Sequence, residues 1–270
     1  MIIGSKLGSV NIAHMSIYNK IRFSWVVFKI FFRIKNSQTH FWYLWEIIEA
    51  SLYIVIFSIL KRDGFIEFQE NQMPTVLFIS IGVIGYSIFS ESLINCANSI
   101  NDYSFAGKHF PIDPIILATS SVIGNGVFFC LKIAVLAIVL WAYELVNFFM
   151  VTVTLLWLFG LMIMGSALGL FLASTCSLMP DISRAIRVFL RLGMFGSGAV
   201  FPIPVFNNFL EILHHNPIAV ALNKIRLQTL TSEIIYISGP LIVLLIVIFT
   251  FVLALLFYRL LYRSTLDSLA

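Results

Sequence analysis

LVNFFMVTVTLLWLFGLMIMGSALGLFLASTCSLMP runs from Leu145 to Pro180, 36 residues without one Asp, Glu, Lys or Arg. A helix needs roughly 20 apolar residues to cross roughly 30 Å of hydrocarbon, so this stretch alone commits the chain to a bilayer. Ile234 to Tyr258 adds 25 uncharged residues. Met73 to Ser90 and Ile115 to Leu131 give 18 and 17, each extending past a single charge, Glu91 and Lys132. Trp42 to Leu60 gives 19 with two glutamates near its start, and Leu192 to Leu210 another 19, broken by Pro202 and Pro204. These runs predict an all-α integral membrane protein: six transmembrane helices over residues 42–270, behind a cytoplasmic N-terminus of residues 1–41. Continuous apolar runs, in place of short alternating stretches, exclude a β-barrel.

Composition agrees. The 270 residues are 60% hydrophobic and 11% charged, with a mean hydropathy of +0.97, whereas soluble domains are nearer half apolar and a quarter charged. With 15 Gly, 8 Pro and 3 Cys, the chain is neither disordered, collagen-like nor a disulfide scaffold. Basic residues mark the cytoplasmic ends of spans. With the N-terminus inside, Lys6, Lys20, Arg22, Lys29, Arg33, Lys35, Lys108, Arg184, Arg187, Arg191, Arg259 and Arg263 are cytoplasmic, twelve of the seventeen. Lys61, Arg62, Lys224 and Arg226 fall outside, and Lys132 within a span. Both termini are therefore expected in the cytoplasm. The net charge of +4 is a topology signal, and cations dispersed along membrane borders do not suit nucleic acid.

Ile17 to Lys35 mixes Trp25, Phe28, Phe31 and Phe32 with cations. Arg22, Lys29 and Arg33 fall within about 40° on a helix, as expected of an amphipathic helix on the inner membrane surface, drawn to anionic lipid. The loop from Asn98 to Pro114 is polar and rich in capping residues. An ordinary connector and a docking surface for a soluble partner both fit it.

Enzyme chemistry is hard to find. The sole Gly-Lys pair, Gly107 and Lys108, lacks the spacing of a phosphate-binding loop. Cys96, Cys130 and Cys176 are dispersed and His214 and His215 diverge, so no metal site is expected. Charges inside spans carry more weight, since each costs at least about 2.5 kcal/mol at mid-bilayer. Glu46 and Glu49 share a face of the first span, either snorkelling to the interface or facing a pore. Glu91 and Lys132 sit at comparable depth in consecutive antiparallel spans and are expected to pair. Arg184, Arg187 and Arg191 form one stripe at the inner end of the fifth span, suited to phosphate or carboxylate oxygens, whether of lipid headgroups or of an anionic substrate.

The order of features resembles the membrane subunit of ABC-2 type exporters for capsular polysaccharide, O-antigen and teichoic acid. A basic interfacial helix leads into Tyr43-Leu44-Trp45-Glu46-Ile47-Ile48-Glu49-Ala50-Ser51. Phe89-Ser90-Glu91-Ser92 and Ala97-Asn98-Ser99 follow, then Phe110-Pro111-Ile112-Asp113, a small-residue stretch from Gly165 to Ala173, and Pro180-Asp181-Ile182. Ser197 to Pro204 and His215-Asn216-Pro217-Ile218 are similar to the segments that bracket that family's membrane-dipping outer hairpin between spans five and six. Ala50 stands where the family usually has proline, and bulky Phe41 or Trp42 where it commonly has glycine.

The resemblance implies a homodimer in the bacterial inner membrane driven by two copies of a separately encoded ABC ATPase, with MgATP on that partner and no cofactor on this chain. It places ATPase coupling at Asn98, Asn101, Asp102, Tyr103, Lys108 and His109, and an outer gate at Phe201, Pro202, Pro204, Asn216 and Pro217. Arg184, Arg187, Arg191, Glu46 and Glu49 are the candidates for substrate or lipid-anchor binding. The expected cargo is a lipid-linked polysaccharide, capsular in preference to O-antigen or teichoic acid, with periplasmic and outer-membrane export proteins as further partners. A membrane-embedded enzyme on lipid-linked sugars is the competing class, with Glu46, Glu49 or the histidines as its chemistry. An ion-coupled carrier is disfavoured by the absence of an inverted repeat and by an Arg-rich inner mouth.

Overall fold

The computed structural model describes residues 17–35, 41–62, 74–106, 114–144, 148–201, 216–230 and 247–260. All elements among them are helical: α1 (Ile17–Lys35), α2 (Trp42–Arg62), α3 (Thr75–Ala97), α4 (Ser99–Ala106), α5 (Pro114–Ala142), α6 (Phe148–Leu178), α7 (Pro180–Gly196), α8 (Pro217–Leu230) and α9 (Val247–Leu260). Three of the six expected spans, in α3, α5 and α6, are long and apolar enough to cross a bilayer. The second half of the last expected span is helical as α9; its first half, and the far part of the fifth, lie outside the described residues.

The frame of the bundle is the pair α3 and α6, the most extensive contact between described helices. Gly165 and Gly169, four apart on α6, let the backbones meet: a Cβ on Gly165 would strike the Phe89 carbonyl, and one on Gly169 the Leu93 carbonyl. Lipid offers no hydrophobic drive for helix association, so close approach over small residues supplies the packing energy. α3 is correspondingly buried nearly all round, from Leu77 to Ala97.

Two apolar clusters hang on this frame. The larger joins α3 and α6 to α2 through Ile54 and Phe57, to α5 through Leu136 and Leu140, and to α8 through Ile218, Leu222 and Ile225. The smaller lies at the α4 end, where Cys96, Ile100, Leu117, Leu170, Ala254 and Tyr258 meet. Between them Asn125 donates to the Ser92 carbonyl and to Ser166, and accepts from Asn95. Buried amides need such partners, and here they pin α5 to both frame helices.

At 29 and 31 residues, α5 and α6 are about 43 and 46 Å long at 1.5 Å per residue, well beyond the roughly 30 Å of hydrocarbon. Toward the α4 end, α5 carries Thr119, Ser120 and Ser121 and α6 carries Ser174, Thr175 and Ser177. α1 lies lengthwise along this part of α5. The hydroxyls of Ser24 and Thr119 hydrogen-bond, Phe28 lies against Gly124, and Phe32 meets Phe128. Its other side exposes Ile21, Trp25, Val26 and Ile30.

Candidate coupling and gating site

α3 ends at Asn98, whose backbone N–H donates to the Ile94 carbonyl, and whose own carbonyl accepts from Asp102 to start α4. α4 is thus one turn of bend away from the frame. Its side chains fasten it: Asn101 donates to the Cys176 carbonyl at the end of α6, and Ser183 of α7 donates to Asn98 Oδ1 at 2.7 Å. Asp102 is exposed. Asn98, Asn101 and Asp102 are therefore brought together, with Tyr103 on the same helix. Lys108 and His109 lie outside the described residues.

The α6–α7 junction is a sharp break. Met179 is extended, Pro180 occupies the first helical position, and Asp181 stands in the first turn, where proline's fixed φ and a negative charge both favour a helix start. α7 begins well ahead of the uncharged run and stops within it, so all three arginines ride on the helix and none merely precedes it. They separate in role. Arg184 pairs with Asp181 at 3.2 Å in solvent, Arg191 is exposed, and Arg187 turns inward to donate to Ser183 at 3.1 Å. Val188, Phe189 and Leu192 are also exposed, Phe189 by 74%, so α7 presents an exposed apolar face beside its cations.

Glu46, Glu91 and Lys132 form the intramembrane charge cluster. Lys132 is only 3% exposed; it hydrogen-bonds Glu91, and Glu46 Oε2 lies 3.9 Å from its ammonium. The expected Glu91–Lys132 pair forms, and Glu46 joins it, tying α2 to α3 and α5. Glu49, on the same helix as Glu46, is exposed. A small pocket beside the pair is lined by Ile88, Asn95, Phe128 and Phe129.

At the other end of the bundle α7 ends in Ser197 and Gly198, which takes φ 72°, a left-handed turn that glycine adopts without strain. Phe201 packs on Phe195, and Phe195 on Phe57 of α2. Pro202 and Pro204 lie outside the described residues. α8 opens with Asn216 as its cap, Oδ1 accepting from the Ile218 N–H at 3.0 Å, and Pro217 as its first residue. The Asn-Pro pair is a helix-start device. At 14 residues, about 21 Å by helical rise, α8 is too short to cross the hydrocarbon, yet its inner face is buried against α3 and α6.

Arg226 is the residue that sequence reasoning missed, since it looked like an outer topology marker beside Lys224. It is 4% exposed. Its guanidinium donates to the carbonyls of Gly198 and Ala199 at 2.7 Å and of Phe78 at 3.0 Å, and stacks 3.5 Å over the Phe78 ring. Gly82 leaves the room this needs, for a Cβ there would strike Ala199 and Arg226. A usable signal existed: Arg226 follows Ile218, Ala219, Leu222 and Ile225 at helical spacing and so falls on the apolar face of α8.

The described residues thus form a bundle of long apolar helices, broken at α4 and joined by the short buried-faced helix α8. The sequence model of the family described as ABC-2 type transporter matches residues 24–230. The chain therefore belongs to the ABC-2 type transporter family. It is an integral membrane protein and the transmembrane component of an ABC exporter, a transport part and not itself catalytic; permeases of this family work with a separate ABC ATPase subunit. No curated protein matches it.

Proposed function

We propose that the chain is the transmembrane subunit of an exporter that moves a lipid-linked polysaccharide, capsular polysaccharide foremost, out of the cytoplasm across a bacterial inner membrane. Two copies form the channel and two copies of a separate ATPase, carrying MgATP, drive it. The observation that carries this reading is α4: a short helix between α3 and α5 whose Asn101 bonds the end of α6, while Asn98, the residue just before it, bonds the start of α7. Such a helix offers a partner a handle on two membrane elements at once. ATP binding favours the closed ATPase dimer, and its differential affinity for the two states shifts the channel.

The cargo assignment is supported by the ordered motifs from Tyr43 to Ile218 and by the exposed Arg184 and Arg191 beside the apolar face of α7, an arrangement suited to a phosphate attached to a lipid. Both termini face the cytoplasm on the charge distribution.

Deletion of the protein is expected to leave a lipid-linked polymer inside the cell, identifiable by mass spectrometry as capsular, O-antigen or teichoic material. If no polymer accumulates, glycan export is wrong. Co-purification with an ABC ATPase tests the assembly separately.

A further inference from the structure

A small cavity touches both the intramembrane charge cluster and the amide layer around Asn125. Its polar walls are Glu91 and Asn95, one turn apart on α3, and Asn125 and Lys132 on α5; Ile88, Phe128 and Phe129 supply its apolar walls. At about 10 Å³ it is far too small for a lipid headgroup or a sugar, and offers the least room in which one water can sit.

The polar groups around it are short of partners in complementary ways. An ammonium carries three donors, and the buried Lys132 spends one of them, on Glu91, among the described residues. Glu46 Oε2, at 3.9 Å, makes a charge contact beyond hydrogen-bond length. Asn125 is committed elsewhere, donating to the Ser92 carbonyl, Cys96 and Ser166 and accepting from Asn95. Asn95 gives an N–H to that bond and has a carbonyl oxygen left, and the Glu91 carboxylate has acceptor capacity beyond its bond to lysine. The walls thus hold unspent donors on Lys132 and unspent acceptors on Asn95 and Glu91. A buried ion pair repays its desolvation only when further hydrogen bonds satisfy its remaining protons and lone pairs.

Charge settles what fits between them. Lys132 repels a metal cation and Glu91 repels an anion, so the occupant is neutral and both accepts and donates. We infer that the cavity is a binding site for a single structural water, which accepts from the Lys132 ammonium and donates to Glu91 and to the Asn95 carbonyl oxygen. The water joins Glu46, Lys132 and Glu91 to Asn95, Asn125 and Ser166, making one polar seam of α2, α3, α5 and α6. It completes the solvation of a lysine that the side chains satisfy only in part. The site depends neither on the cargo nor on the ATPase.

The test is X-ray hydroxyl-radical labelling of the full chain in nanodiscs, read by mass spectrometry after rapid mixing into water bearing heavy oxygen. A hydroxyl radical adds directly to an aromatic ring, so the ring carries the oxygen of the water that formed it, and a water held through the mixing leaves light oxygen. Phe128 and Phe129 are the reporters, and Phe249, exposed on α9, is the control. The two reporters are expected to carry light oxygen, and Phe249 heavy oxygen or no label. K132M with E91L, which removes both charges, brings the light-oxygen label on the reporters down to the Phe249 level. N95L, which removes the carbonyl acceptor and fills the space, does the same.

A parent protein without light oxygen on Phe128 and Phe129 overturns the inference, and so does a label that both variants leave undiminished. Should one variant fail to fold, the other decides; should both fail, the parent's own label separates a held water from none.

Discussion

Lys132 shows how much one side chain carries in a chain with so few charges. It is buried, bonded to Glu91, and close enough to Glu46 to hold α2 against α3 and α5. Removing one partner of a buried pair leaves a charge without compensation, at about 3–5 kcal/mol. K132M is therefore expected to lower the melting temperature of the purified protein sharply, and K132M with E91L to recover much of the loss. A double variant as unstable as the single would show that the pair is not the source. Glu91 and Lys132 were legible as partners because consecutive antiparallel spans place them at one depth. The third member, Glu46, was not, since helix periodicity fixes a face but not the neighbour that face meets. Arg226 was hidden more deeply: a basic residue after an apolar run reads as a border, and only the path of the chain back into the bundle turns it inward, over Phe78.

At the scale of elements, small residues decide which helices touch. Gly165 and Gly169 bring α6 onto the α3 carbonyls, whereas Gly126 and Gly160 have nothing within 4 Å of an added Cβ. G169V is expected to abolish folded protein in detergent, because the new side chain meets backbone that cannot move aside. G160A should leave yield and melting temperature unchanged or slightly raised, since alanine is the better helix former. Comparable behaviour of the two variants in a thermal melt would rule out the close approach as the basis of the frame. The long spans were readable because absence of charge over 20 or more residues has one cheap explanation. The end of α7 was not, because the apolar run from Leu192 to Leu210 does not register that the backbone turns at Gly198. Hydrophobicity records the solvent around a segment, and both a span and a shielded hairpin share that solvent.

For the whole molecule, the two apolar clusters sit at different heights with a polar layer around Asn125 between them. On the function proposed above, the α4 end is where the partner ATPase docks. Asp102, exposed on α4, is expected to contribute to that contact: D102R should cut co-purification of the ATPase by about ten-fold, roughly 1.4 kcal/mol, while the melting temperature of the chain alone stays within a degree or two. Undiminished co-purification would move the docking surface elsewhere. The charge count and the ordered motifs announced this division between a membrane part and an energy-supplying part. The hydrogen bonds that join α4 to α6 and α7 had no signature in sequence, since serine, asparagine and a backbone carbonyl carry no periodic mark.

The excess length of α5 and α6 has a consequence for how the exporter sits in its lipid. The surplus of some 13–16 Å over a typical hydrocarbon core has to be taken up by tilt or by turns outside the hydrocarbon, and α1 packs along the half of α5 nearer α4 through Ser24, Phe28 and Phe32. A thicker bilayer would stand α5 and α6 more upright and a thinner one would tilt them further, and α1, with its exposed Ile21, Trp25 and Ile30, would move with α5. Acyl-chain length is therefore expected to set the tilt of the two longest helices, a dependence that reconstitution in lipids of graded chain length would read.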